Sequence, residues 1–314
     1  MSRTALLTGG VLLLSACSSA QYPQSRPAPL KTVDGGAGEP TTAAARTPSP
    51  TPTPYGTTLT GLVGPVNDAL AKLPQAGSLD ELKTALGAVE KAAGDGYTGL
   101  QSAIPPTGAG DANRQLYVAL NTLVDNFTAV ETDISDQKVC ATSAALAEAG
   151  QAQGLKDIQQ ALQTLSGAGY PATFTVPQTG QLQHRALDNG SFVREGQDDG
   201  NGELTVDNGG GNVDAVLTLT QDGQSAYSFY VVKGQTAKIS GIRDGKYDVY
   251  FAGGFDWDTG TKKFTQSCAF TKFDDGLDYT TTNSTYSTWT LTLKPVVGGN
   301  ASTSDVPANQ YPVP

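Results

Sequence analysis

The chain has 314 residues, with 20 basic and 30 acidic side chains that give a formal net charge of −10. Its length is enough for two domains, and its 37 glycines, 18 prolines and 7% aromatic residues indicate modest cores joined by loops. An acidic chain without a basic cluster argues against nucleic acid as a partner and is repelled by anionic lipid, so membrane attachment would require a covalent anchor.

The first 16 residues have the parts of an export signal peptide. Arg3 supplies the positive charge, and residues 5–14 form an apolar run far shorter than the roughly 20 residues that span a bilayer. The sequence Leu14-Ser-Ala-Cys17 that follows resembles the lipobox of bacterial lipoproteins. The resemblance implies that Cys17 carries a diacylglycerol and a fatty acid such as palmitate, which anchor the chain to the extracellular face of the cell membrane. The alternative is an ordinary secretory signal with an incidental cysteine.

Residues 17–56 are predicted to be the lipidated cysteine followed by a Pro/Thr-rich tether. Every second residue of the run Thr47–Pro54 is proline. Proline fixes φ and lacks a backbone donor, so this run cannot form a helix or a central strand and is expected to be extended.

Residues 57–168 predict an antiparallel helical bundle, because apolar residues recur at spacings of three and four. Pro65 is expected to begin or kink the first helix, and the pattern Ser78-Leu-Asp-Glu81 is a capping box at the start of the second. A third helix follows. A fourth is predicted to begin near Cys140, break around residues 150–154 and then resume.

From residue 203 the apolar period changes to two, and turns of the Asp-Gly type separate short segments. This predicts an all-β antiparallel sandwich over residues 203–295, of the immunoglobulin or prealbumin type. A linker at 169–202 is expected to contribute edge strands at Phe174–Val176 and Ser191–Val193, and residues 296–314 are expected to be a flexible tail. The predicted strands are Leu204–Asp207, Val213–Thr220, Ala226–Val232, Thr236–Ser240, Tyr247–Ala252, Lys263–Phe273 and Tyr286–Lys294.

Several of these features occur together in a group of uncharacterised actinobacterial (Streptomyces-type) lipoproteins, which this chain resembles. The resemblance rests on the lipobox, the tether, Val139-Cys-Ala-Thr-Ser-Ala-Ala-Leu146, Asp244-Gly-Lys-Tyr and Cys268-Ala-Phe-Thr-Lys-Phe-Asp-Asp275. It implies a helical domain followed by a β-domain and brings no catalytic residues with it.

Cys140 and Cys268 remain once Cys17 is assigned to lipidation. An even pair of cysteines in an oxidising compartment could form a disulfide, which would join the helical and β segments. The alternative is two buried free thiols that behave as small apolar side chains. Catalytic use of either thiol is disfavoured, because the only histidine is His184, in a predicted loop.

Five aspartates offer the remaining candidate chemistry. Asp256 and Asp258 flank Trp257, while Asp274, Asp275 and Asp278 follow the next strand. If loops gathered them at one end of the sandwich, their oxygens could bind calcium, although the spacing does not match an EF-hand. A pair could instead serve as the acid and base of a cell-wall hydrolase. The simplest alternative is that they are solvated residues of turns.

Aromatic residues near these aspartates could form a sugar-binding platform. Trp257 and Phe255 are predicted in a turn, with Tyr279 and Tyr286 in the same half of the chain. The alternative is that these aromatics belong to the core, which is the more common position beside strands.

The sequence therefore predicts an exported, membrane-anchored module that binds or supports other components without catalysis. No metal or cofactor is expected beyond the acyl groups on Cys17. A cell-wall polymer or another envelope protein is the expected partner, and a carboxylate-dependent hydrolase or a calcium-assisted carbohydrate-binding module is the alternative.

Overall fold

The computed structural model describes residues 54–294 and 302–314. The signal segment, Cys17 and most of the tether, through residue 53, lie outside the described residues. The described chain is mixed α+β, as predicted, with helices in the first part and largely antiparallel strands in the second. No helix in the described ranges is both long and apolar enough to cross a membrane.

Five α-helices and one short 3₁₀ helix make up the helical part. The α-helices are α1 (Tyr55–Leu70), α2 (Leu79–Ser102), α3 (Gly110–Ser135), α4 (Thr142–Gly150) and α5 (Gln153–Gly167), and the 3₁₀ helix is Leu73–Gln75. Helix α2 packs against α1 and α3, and α3 packs against α5. The side chains at the predicted spacings of three and four form one buried core.

Local sequence signals set two of the helix boundaries. Ser78 is the N-cap of α2, where its hydroxyl accepts a hydrogen bond from the Glu81 N–H, and the Glu81 carboxylate accepts one from the Gly77 N–H. The first bond satisfies an N–H group that the helix leaves unpaired, and the second fixes the residue that precedes the N-cap. Pro65 lies inside α1, which begins at Tyr55, so the expectation that Pro65 begins this helix is wrong.

Ten strands form two sheets in the described ranges. They are β1 (Phe192–Arg194), β2 (Gly202–Asp207), β3 (Asp214–Gln221), β4 (Gln224–Val231), β5 (Thr236–Ile242), β6 (Gly245–Asp258), β7 (Lys263–Phe273), β8 (Leu277–Tyr279), β9 (Thr288–Thr292) and β10 (Thr303–Asp305). The larger sheet has the order β1-β4-β3-β6-β7-β10, with β8 paired to β6, and the smaller sheet has the order β5-β2-β9. Strand β9 runs parallel to β2, so the prediction of antiparallel pairing is wrong for this strand.

The two faces of the larger sheet are both covered. Because side chains alternate across a strand, Leu217 and Leu219 of β3 lie in a core cluster with Leu204 and Val206 of the smaller sheet. Val216, the residue before Leu217, belongs to a second cluster on the opposite face. That second cluster also contains Tyr230, Ala252, Trp257, Phe264 and Cys268, with Cys140, Leu187 and Tyr311 packed against it.

Two separate segments pair with the outer edge of β7. The segment before α4 joins its first half: Val139 bridges Gln266, and the Cys140 N–H donates to the Thr265 carbonyl at 2.9 Å. Strand β10 joins its second half, with Thr303 opposite Phe273. An edge that would otherwise present unpaired backbone groups is thus covered in part by the helical segment.

The C-terminal segment is ordered, which corrects the prediction of a flexible tail at 296–314 for its described part. After β10, the Tyr311 ring packs on Tyr250 and Phe270, and its hydroxyl donates to the Val216 carbonyl at 3.3 Å. The Ser225 hydroxyl donates to the Val313 carbonyl at 2.7 Å. These four contacts, with residues of β3, β4, β6 and β7, hold the segment across the larger sheet, even though its Pro-rich composition resembles that of a loop.

The linker at 169–202 contains one of the two predicted edge strands. Strand β1 pairs with β4 at the edge of the larger sheet and begins one residue after the start of the predicted Ser191–Val193. Phe174–Val176 is not a strand. Phe174 and Val176 instead pack on the helical core, and the Thr175 N–H donates to the Asn67 side chain at 2.7 Å.

Candidate functional site

Asp256 and Asp258 lie in strand β6, which continues six residues beyond the predicted end at Ala252. The prediction of a loop at this point is therefore wrong. Asp256 has a left-handed backbone, with φ of 55°, beside an irregularity in the β6–β7 pairing that lies between Gly253 and Phe255. This bulge turns the Asp256 side chain into the protein, where it is 3% exposed.

The Asp256 carboxylate is held by four hydrogen bonds. The Arg185 side chain donates two, at 2.8 and 2.7 Å, and the Arg185 N–H donates a third at 2.9 Å. The Thr265 hydroxyl donates the fourth at 2.6 Å. The Arg185 guanidinium, and then the Thr265 hydroxyl and the Arg185 N–H, hold the pKa of Asp256 well below its usual range. The carboxylate therefore stays ionised at neutral pH.

Asp258 shares the same arginine. Its carboxylate lies 3.2 Å from Arg185 and accepts hydrogen bonds from the Gly260 and Thr261 N–H groups of the following turn. The Thr261 and Gly260 N–H groups, together with Arg185, lower the pKa of Asp258. Both aspartates thus fix the linker to β6, and neither can supply the proton that a hydrolase needs from its general acid.

Trp257 is a core residue and not part of a surface platform. Its side chain is 1% exposed and lies edge-on to Phe264 at 5.0 Å and to Tyr230 at 6.2 Å between ring centres. Tyr279 is equally buried in the other core cluster, whereas Tyr286 is half exposed. The burial of Trp257 and Tyr279 therefore favours the core alternative over the sugar-binding platform for these two residues.

The five aspartates do not come together, which argues against the alternative of a calcium site at one end of the sandwich. In the β6–β7 pair, Trp257 lies opposite Phe264 and Tyr250 lies opposite Lys272, so residues 256 and 258 are at one end and residues 274 and 275 at the other. The two ends are separated by roughly 25 Å of strand. No group of three or more His, Cys, Asp or Glu side chains suited to a metal occurs among the described residues.

The second group of aspartates has local partners at its own end of the sheet. The Asp274 carboxylate accepts a hydrogen bond from the Ser304 hydroxyl at 2.6 Å, and hydroxyls of Ser302 and Ser304 lower the pKa of Asp274. Asp278 lies 3.9 Å from the Lys246 ammonium. Within residues 54–294 and 302–314, no hydrogen bond or ion pair involves the Asp275 carboxylate.

A disulfide joins Cys140 and Cys268, with the two Cα atoms 6.3 Å apart and 128 residues between them in the sequence. The bond connects the segment before α4 to strand β7, at the point where the backbones already pair. The Ser267 N–H donates to the Lys138 carbonyl at 2.8 Å and the Cys268 N–H to the Gln137 carbonyl at 2.9 Å. The junction between the helical and β parts is therefore both covalent and hydrogen-bonded.

Sequence reasoning missed Arg185 and Trp289. Arg185 follows His184, which lies exposed in a segment without regular secondary structure, as expected. The one sequence signal for the role of Arg185 was its positive charge in the linker, because Asp256 and Asp258 lie close together later in the chain. The alternating pattern predicts a strand at Trp289. Such a pattern does not show whether the strand lies in the middle of a sheet or at its edge, so it did not predict that this ring is exposed.

Trp289 lies on edge strand β9 and is 39% exposed. Its indole N–H donates to the Asp278 carbonyl at 3.1 Å, which fixes the orientation of the ring. The ring forms one wall of a pocket of about 260 Å³ between β9 and the end of β7. The other lining residues are Phe273, Asp275, Gly276, Leu277, Thr290, Leu291 and Ser302.

This arrangement can hold one ring-sized ligand. Phe273, Leu277 and Leu291 are buried and form an apolar floor, while Asp275 and Ser302 are exposed at the rim. The pocket is smaller than the roughly 300–1,000 Å³ of sites for drug-sized ligands, so it would enclose a single small ring. Comparisons with known proteins give no further guide: no protein-family model, no curated protein and no solved structure matches this chain.

Proposed function

We propose that this chain is an exported lipoprotein, anchored by acyl groups on Cys17 to the extracellular face of the cell membrane. In this proposal the described part is a non-enzymatic module that binds or supports a component of the envelope, either a wall polymer or another envelope protein. We also propose that the helices form an antiparallel bundle and that the two sheets form a sandwich of the immunoglobulin or prealbumin type. The packing of α2 on α1 and α3 and the core shared by the two sheets support this finer description.

The observation that carries the proposal is the Cys140–Cys268 disulfide. Disulfides persist in oxidising compartments outside the cytoplasm and are rare within it. This agrees with the export signal and the lipobox-like Leu14–Cys17, which come from a different part of the chain. The disulfide and the N-terminal signal thus independently favour a location outside the cytoplasm.

A binding or structural role is favoured over carboxylate catalysis by the condition of the aspartates. Asp256 and Asp258 are committed to Arg185, with pKa values lowered below the ordinary range. A glycosidase needs one carboxyl that remains protonated near neutral pH, so its pKa has to be raised and not lowered. The pKa values of Asp256 and Asp258 are therefore shifted in the opposite direction from the one that a glycosidase needs.

The test compares the full chain with its Cys17→Ala variant in a bacterium that processes lipoproteins. Cells are fed a labelled fatty acid, and we expect the label on the wild-type chain and none on the variant, because the thiol is the site of attachment. The acyl label is the primary measurement, since an uncleaved signal segment could itself retain the variant in the membrane fraction. Surface biotinylation of intact cells should label the wild-type chain.

A matched control is the double variant Cys140→Ala/Cys268→Ala, which removes the other two cysteines and should keep the acyl label. An unlabelled wild-type chain, or a label that survives the loss of Cys17, would disprove the lipoprotein proposal. Biotinylation only after cell lysis would disprove the outward location.

A further inference from the structure

We propose that the pocket beside Trp289 binds a single neutral sugar ring of an extracellular polysaccharide. The site is distinct from the Trp257 and calcium sites that the sequence suggested, and it lies at the opposite end of the β6–β7 pair from Trp257. The binding chemistry depends only on described residues. Only the source of the sugar, the cell envelope, rests on the proposed function.

Trp289 provides a ring surface that is exposed and fixed in orientation. A large aromatic side chain exposed on an edge strand loses the free energy of burial, and its indole N–H is already bonded to the Asp278 carbonyl at 3.1 Å. This bond favours one orientation of the ring at the side of the pocket. A pre-oriented ring binds a flat apolar face without the loss of side-chain entropy that a mobile ring would incur.

The remaining lining suits a molecule with one apolar face and several hydroxyls. A sugar ring can place its C–H face against Trp289 and the floor formed by Phe273 and Leu277, while its hydroxyls point to the rim. Asp275 is an acceptor without a partner among the described residues, and Ser302 can both donate and accept. A few directional polar groups around an apolar surface are the usual composition of a small-molecule site.

The charge around the pocket selects among sugars. Asp275 lines it, and Asp274 directly follows the end of β7 at Phe273, so an anionic polymer would be repelled. A cationic ammonium would meet Trp289 and one carboxylate, but it would also lose its hydration against the apolar floor. A neutral ring avoids both costs.

The chain contains two tryptophans, and this makes binding measurable by intrinsic fluorescence. Trp257 is 1% exposed and Trp289 is 39% exposed, so a soluble quencher such as acrylamide should act almost entirely on Trp289. The probes are mannose, galactose, arabinose and soluble N-acetylglucosamine oligomers, with tetramethylammonium as the cationic comparison. We expect at least one sugar to shift the emission to the blue and protect it from quenching, with a dissociation constant on the order of 1 mM.

Three variants of the full chain define the site. Trp289→Phe should abolish the fluorescence response while calorimetry still detects weakened binding, and Trp289→Ala should abolish both. Asp275→Asn removes the charged acceptor and should weaken binding about tenfold. Tyr286→Ala is the matched control, since Tyr286 is a half-exposed aromatic that is not among the pocket's lining residues, and it should leave binding unchanged.

The proposal is overturned if no sugar in the panel changes the Trp289 emission or its quenching at concentrations that saturate a millimolar site. It is also overturned if only tetramethylammonium does so, which would make the pocket a cation site. Equal weakening by Tyr286→Ala would show a nonspecific effect. Because binding is measured on purified protein, these outcomes are independent of the acyl-labelling test, and either proposal can fail alone.

Discussion

At the scale of single residues, Asp256 shows how a charged side chain can be buried in a strand. A left-handed backbone is uncommon outside glycine, and aspartate and asparagine tolerate it best. The φ of 55° at Asp256 turns its carboxylate from the ladder to Arg185 and Thr265. The interaction joins a part of the linker without regular secondary structure to β6, the longest of the described strands.

We expect Asp256→Asn to lower the free energy of unfolding by about 1–3 kcal/mol at pH 7, because hydrogen bonds to a charged group are lost. Asparagine keeps the left-handed backbone, so the charge is the main change. The lowered pKa of Asp256 means that its ionised form stabilises the fold fully above the unfolded pKa of about 3.9, and that this contribution is lost as pH falls below that value. Urea unfolding of both proteins from pH 7 to about pH 3 should show their difference shrinking.

The control for this prediction is Asp95→Asn. Asp95 pairs with Lys91 on the surface of α2, with 69% and 77% of the side chains exposed, so its loss should cost less than about 0.5 kcal/mol. A difference between wild type and Asp256→Asn that stays constant down to pH 3 would contradict the electrostatic explanation and favour a packing effect.

Residue roles at the candidate site were only partly predictable. The sequence pointed to Trp257 and its two neighbours as a possible surface site, but Trp257 packs in the core and the two aspartates bind Arg185. Two local irregularities accompany this: β7 advances three residues against two in β6 between Gly253 and Phe255, and Asp256 has a left-handed backbone. Nothing in an alternating pattern marks such an insertion before the pairing is known.

At the scale of elements, the close approach of α5 to α3 depends on Gly154. A Cβ at this position would lie 2.5 Å from the Leu123 backbone nitrogen, which is closer than real Cβ atoms come. The Gly154 N–H also donates to the Asn126 side chain at 3.0 Å. The glycine therefore sets the distance between the two helices, and the break that the sequence predicted at residues 150–154 has a packing function.

We expect Gly154→Ala to destabilise the protein by about 1–3 kcal/mol, since the backbone of α3 must move to make room for the methyl group. The matched control is Gly94→Ala in the interior of α2, where nothing lies within 4 Å of the added Cβ. There the change should stabilise the helix by about 0.5–1 kcal/mol. Far-UV circular dichroism during urea unfolding measures both, and effects of the same sign would disprove the packing argument.

Most of the longer strands were predictable, whereas β8 and β10 were not. Strands β2 to β7 follow alternating apolar residues, whose burial in a core sets both position and register. Strands β8 and β10 have three residues each, too few for a period to appear, and they exist because β6 and β7 offer them an edge. The parallel pairing of β9 with β2 is likewise a property of the whole fold.

At the scale of the whole molecule, the helical and β parts share one edge of a sheet. Lys138, Val139 and Cys140 pair with β7, and the disulfide to Cys268 lies within that pairing. The sequence left the pairing of the cysteines open because 128 residues separate them, and spacing alone does not predict contact over that distance. It did predict that such a bond would join the two parts.

Loss of this bond should separate the unfolding of the two parts. The double variant Cys140→Ala/Cys268→Ala releases a long loop, whose closure is worth on the order of 4–5 kcal/mol in the chain-entropy model. Both tryptophans, Trp257 and Trp289, lie in strands, while every α-helix described lies before residue 168. Fluorescence therefore reports on the β part, and circular dichroism at the helical band reports mainly on the helices.

With the bond intact, we expect the two signals to change together as urea rises, because neither part can lose its structure at the junction without straining the other. In the double variant, the two midpoints should fall and separate. Reduction of the wild-type protein by dithiothreitol should reproduce that result, which controls for the effect of alanine on packing at Cys268, a buried position. Coincident midpoints in the variant would show that hydrogen bonds between residues 137–140 and β7 are sufficient to couple the two parts, and that the disulfide adds stability without adding cooperativity.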